Sequence, residues 1–108
     1  MTVMTRDLAV AVPKAALRAL VELTGQVELG PAILTTLPDA IAHRLEAIEA
    51  DLRTYEQRYG MTFEEFQAHG HSGDLPDRFS YQVEQDYFDW DGLVARQRKL
   101  REILQWLT

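Results

Sequence analysis

At 108 residues, with 46% hydrophobic and 26% charged side chains, the chain has material for one modest core and a charged surface, which excludes global disorder. Seventeen acids against eleven Lys and Arg give a formal charge of −6, so the field of the whole chain repels nucleic acid and anionic lipid. The absence of cysteine excludes disulfides and thiolate metal sites. The longest apolar run, Leu8 to Val12, is too short to cross a membrane, and the first residues lack the layout of a signal peptide, so the expectation is a cytoplasmic protein.

Leu8, Val10 and Val12 alternate with Ala9 and Ala11, a period-two pattern that predicts a short strand over 8–12. Pro13 suits a helix start, Leu17, Leu20 and Val21 recur at helical spacing, and Thr24-Gly25 supplies a stop, so a first helix is expected over about 14–24. Around Gly30-Pro31 the pattern suggests a turn followed by a helical turn. From 37 to 59 the signal is strongest. Ile41, Leu45, Ile48, Leu52, Tyr55 and Tyr59 follow a 4-3-4-3-4 spacing, which places them in one stripe on a long helix, with Pro38 in its first turn and Gly60 at its end. Glu49 and Arg53 stand four apart on its outer face, where they can pair.

Thr62 and Glu65 then form a T-x-x-E capping box, with Met61 and Phe66 placed as a hydrophobic staple. A short helix over 62–69 follows, and the stretch from Gly70 to Asp77 has loop chemistry. A C-terminal helical pattern covers about 83–107, either one helix bent near Gly92 or two. The expected fold is a mainly α, small single domain over 1–108, with residues 1–36 as a dimerisation arm and 37–108 as a helical partner-binding region.

Groups able to carry chemistry are sparse. His69 and His71 flank Gly70 with Asp74 close by, but no further ligand stands at a recurring metal-site spacing, so no metal and no cofactor are expected. Glu84, Asp86, Asp89 and Asp91 spread over several helix faces and do not converge on one point, as hydrolysis would require. Neither a phosphate-binding glycine loop nor a nucleophile motif is present, and no enzymatic activity is expected.

Tyr81, Tyr87, Phe88 and Trp90 are too many to share one narrow face, so one or two should point outward. Core closure and partner contact both remain open for them. Arg96, Arg98, Lys99 and Arg101 form a basic group that serves either as a solvated face or as the rim of an interface. The expected partner-binding residues are Tyr87, Phe88, Trp90, Arg96, Arg98 and Arg101.

The run from Leu52 to Phe66 (LRTYEQRYGMTFEEF), followed by Asp86 to Leu93 (DYFDWDGL), resembles small helical antitoxins of prokaryotic type II toxin-antitoxin modules over about the last two thirds of the chain. That resemblance implies a helical protein that binds a cognate small toxin, often an RNase, and silences it by occlusion. It carries over no catalytic residue.

The N-terminal third is similar to a ribbon-helix-helix arm, which implies a dimer whose paired strands read the DNA major groove. Here the outward positions would be Asp7, Ala9 and Ala11, which offer no bidentate donor, and residues 1–36 balance Arg6, Lys14 and Arg18 against Asp7, Glu22 and Glu28. Weak DNA contact and a dimerising role are therefore expected of the arm. A DNA-binding autorepressor and a structural helical oligomer stand as the alternatives.

Overall fold

The computed structural model describes residues 2–4, 9–73 and 80–107, with side chains from Val12 onward. The protein is mainly α. Two three-residue strands, β1 (Thr2–Met4) and β2 (Ala9–Ala11), pair antiparallel with Val3 opposite Val10. Among the described residues four helices follow: α1 (Lys14–Thr24), α2 (Leu29–Tyr59), α3 (Phe63–Ser72) and α4 (Tyr81–Leu107). The chain divides into two compact units, Met1–Ala40 and Ile41–Thr108.

In the first unit, β2 lies inside the strand expected over 8–12, and its pairing with β1 was not foreseen; Leu8 lies outside the described residues. Helix α1 has the expected bounds. Its carbonyl ladder ends where Gly25 turns left-handed at φ 71° and its N–H donates to Val21 O at 2.8 Å. Helix α2 starts eight residues before the expected 37, so Gly30-Pro31 is its first turn and Pro38 lies in its interior. Pro31 is tolerated because the first turn has no intrahelical use for its missing N–H. Pro38 forfeits a ladder bond, which costs about 3 kcal/mol in a helix interior. The boundary between the compact units, after Ala40, falls two residues beyond it.

In the second unit the stripe of α2 is the spine. Ile41, Leu45 and Leu52 are buried, and Ile48, Tyr55 and Tyr59 pack partly buried beside them. The stripe meets α4 antiparallel: Ile41 and Leu45 cluster with Leu100, whereas Tyr55 and Tyr59 stack on Trp90. Each fully buried Leu or Ile contributes roughly 1.5–3 kcal/mol. The outer-face partner of Glu49 is not Arg53, as expected, but Arg101 Nη2 at 3.6 Å across the α2–α4 pair.

The capping box forms as read. Thr62 Oγ1 accepts from Glu65 N at 3.2 Å, and the Glu65 carboxylate accepts from Thr62 N at 3.4 Å. Phe63 and Phe66 of α3 close over Trp90, and Met61 packs against the same cluster. Helix α3 runs three residues past the expected 69, because a single Gly70 weakens a helix without stopping it. The stop is Gly73, left-handed at φ 83°. Helix α4 begins two residues before the expected 83, with Ser80 Oγ accepting from Val83 N at 3.2 Å, and passes through Gly92 unbroken. Among the described residues no helix is long and apolar enough to cross a membrane.

Candidate functional site

The inner face of α4 carries a carboxylate where the apolar pattern calls for a hydrophobic side chain. Asp86 is only 2% exposed. A lone buried carboxylate is costly, and here its acceptor positions are filled. Arg58 Nη1 donates to Oδ2 at 2.8 Å, Tyr59 Oη donates to the same oxygen at 2.5 Å, and Gln82 Nε2 donates to Oδ1 at 2.9 Å. Among the described residues no buried side-chain polar atom lacks a partner.

These contacts set the protonation states. Burial alone would push the Asp86 carboxyl up, but the hydrogen bonds from Tyr59, Arg58 and Gln82, with the Arg58 charge, outweigh it and hold the group below its ordinary range. Burial and the bond to Asp86 push the Tyr59 phenol far above its ordinary value. Its own hydrogen bond to Asp86, together with the Asp86 charge, raises Arg58. Burial and the charges of Asp89 and Asp86 raise Tyr55. A general acid or base needs a value near the working pH, and this network drives its members away from it. Its chemistry is that of a fixed ion pair.

Around the carboxylate stands an aromatic cluster. Trp90 is fully buried, stacked on Tyr55 at 5.6 Å and Tyr59 at 5.9 Å between centroids, with Phe66 tilted against it at 5.0 Å. Tyr87 packs on Phe63 and Phe66, and its hydroxyl accepts from Gln67 Nε2 at 3.0 Å. The expected partner-binding set is therefore split. Trp90 belongs to the core and is not a surface anchor, a correction that follows from α3 folding back over the α2–α4 pair, while Tyr87 packs partly buried at the edge of the same cluster. Phe88 does point outward, as do Arg96, Arg98 and Arg101, the last engaged with Glu49.

The other polar groups stay apart. Glu84, Asp89 and Asp91 lie on the exposed side of α4 while Asp86 turns inward, so the four acids do not converge. His69 and His71 end α3 on its exposed side, and Asp74 lies outside the described residues. Among the described residues no three His, Asp or Glu side chains are grouped as a metal site would require.

Sequence reasoning missed Arg58, Tyr59 and Gln82 as partners of Asp86. One signal was available: Asp86 and Trp90 are four apart, the step with which the inner stripe of α4 begins, so an acid at 86 needs a cation from the facing helix end. Compared with known proteins, the chain matches no family model, no curated protein and no solved structure.

Proposed function

We propose that the chain is a non-enzymatic binding protein of the antitoxin type, which silences a small toxin by covering its active surface. One observation in the first unit supports this reading. Leu17, Leu20 and Val21 of α1 face Val27, Leu29 and Ala32 across an open apolar cleft of about 310 Å³. Val27, on its wall, is 86% exposed, and Leu23 and Leu34 of the same unit are exposed as well. An apolar groove with uncovered walls suits an amphipathic helix of a protein partner. Because Trp90 is buried and Tyr87 packs partly buried beside it, the gripping surface moves from the C-terminal half to this cleft. Occlusion asks for no catalytic group.

The test is co-expression with the neighbouring gene. The pair should co-purify, growth arrest by the neighbour alone should be relieved, and Val27→Asp should abolish both effects while leaving the helical spectrum intact. A harmless neighbour, or a complex indifferent to Val27→Asp, refutes the reading.

The ribbon-helix-helix alternative draws less support. In that architecture the strand pairs with its counterpart in a second chain, whereas one edge of β2 is taken by β1 of the same chain. Salt-resistant, sequence-dependent retention of the upstream DNA in a gel shift would favour it.

A further inference from the structure

Helix α4 has a second seam. At about 100° per residue, Tyr81, Phe88, Lys99 and Trp106 lie within about 20° of the direction opposite Trp90. Tyr81 is 80% exposed, Phe88 75% and Trp106 66%, so three aromatic side chains stand uncovered along one face. Gly92 and Ala95, between them, are exposed, and a Cβ built at Gly92 would meet no atom within 4 Å. With Gln85 and Glu102 these positions continue a 4-3 alternation through the whole helix, the spacing of a coiled-coil seam.

That seam is complementary to itself when reversed. About a two-fold axis between Leu93 and Val94, Tyr81 meets Trp106, an aromatic pair, and Phe88 meets the ammonium of Lys99. Gln85 meets the carboxylate of Glu102, and Gly92 meets Ala95 where two helices must approach most closely. The flanks agree with the seam. On one side Asp89 of one copy faces Arg96 of the other, and on the opposite side Asp91 faces Arg98, so the symmetry yields four opposite-charge pairs. A parallel pairing would lose the Asp91–Arg98 pairs and set each residue of the seam against its own copy, including Lys99 against Lys99 and Glu102 against Glu102. Lys99 already lies along the seam, with Nζ 5.1 Å from the centre of the Trp106 ring.

We propose that the outer face of α4 is the interface of an antiparallel homodimer, with a second copy of this chain as its occupant. From Tyr81 to Trp106 the seam is about 37 Å long. Three aromatics per chain, at roughly 150–250 Å² each, bring the buried area near the roughly 1,000 Å² that a specific interface needs. On one flank Asp91, Ala95 and Arg98 also border a groove against Phe63, Glu64 and Gln67 of α3, so α3 edges the interface there; the proposal is independent of the toxin-binding reading.

The experiment is sedimentation equilibrium of the full chain at tens of micromolar, with helicity checked by circular dichroism. Wild type should sediment at twice the 12.4 kDa chain mass, and Ala95→Glu as a folded monomer. Asp91→Arg and Arg98→Asp should each weaken the dimer about tenfold, since each turns two attractive pairs repulsive. The double variant should recover wild-type affinity. Mixing the two single variants should give a heterodimer tighter than either homodimer, because one chain presents only cations at the two positions and the other only anions. A monomeric wild type overturns the proposal. So does a dimer that persists in Ala95→Glu, or one in which the double variant is no better than the singles.

Discussion

Tyr59 and Asp86 face each other across the α2–α4 pair, the phenol donating to Oδ2 at 2.5 Å, one turn of α4 before Trp90 stacks on the same tyrosine. Polar and aromatic contacts thus share one tyrosine. The bond fixes the register of the two helices: sliding either by one turn would leave a carboxylate among aromatic rings with no donor.

Removing the carboxylate should therefore cost more than its size suggests. Asp86→Ala strands the Tyr59 hydroxyl and releases Arg58 and Gln82, for an expected loss of about 2–4 kcal/mol. Arg58→Ala should cost less, because that side chain is half in water and Tyr59 and Gln82 remain. Urea unfolding monitored by circular dichroism measures both. Equal costs would show that the arginine, not the buried oxygens, dominates.

The same network predicts a pH dependence. The folded-state pKa of Asp86 lies below its unfolded value, so its contribution is fully present above the ordinary carboxylate pKa of about 4 and is lost as pH falls through the folded value. For Tyr59 the folded value is raised, so its contribution is present below about pH 10 and is lost as pH rises beyond that. The stability gap between wild type and Asp86→Asn should be constant from about pH 5 to 8 and should close under acid. A gap unchanged at pH 2 to 3, about the floor of carboxylate titration, would contradict the ion pair.

Core truncations should be severe. Leu52→Ala is expected to cost about 2–5 kcal/mol and Trp90→Ala about 3–5 kcal/mol, large fractions of the roughly 5–15 kcal/mol that holds a domain together. The melting temperature of each variant checks this. Little change for Trp90→Ala would mean that α3 does not close over it in solution.

Chelation should do nothing. With no grouping of three ligands among the described residues, the melting curve should be the same with and without EDTA, and metal analysis should find no stoichiometric zinc. A drop in melting temperature with EDTA would point to His69 and His71.

Much of the fold could be read from periodicity and end signals. The 4-3 stripe from Ile41 to Tyr59 marked the spine, and Thr62 with Glu65 marked the start of α3 within a residue. What periodicity could not show was the start of α2, because Gly30-Pro31 reads as a turn and Pro38 as a first-turn residue, although only their positions relative to the helix end decide the matter. Nor could it show where the aromatics point. Phe88 and Trp90 look alike as surface anchors until α3 is seen to fold over one of them. Asp86 was hidden among neighbouring acids, since composition does not distinguish an acid in water from one held by a distant arginine.

Helix α4 carries the coiled-coil spacing on two opposite faces, so hydrophobic periodicity alone leaves its rotation about its own axis ambiguous. Turned half-way round, it would offer α2 the Phe88 and Trp106 side chains in place of Trp90 and Leu100, a plausible apolar match. The carboxylate breaks that degeneracy. With Asp86 inward, Arg58 and Tyr59 both donate to its Oδ2, a pair of bonds the half-turned helix would not make. If the buried acid selects between these two rotations, its loss should show as a native state that is not only weaker but less unique, with broadened or doubled side-chain resonances for α4.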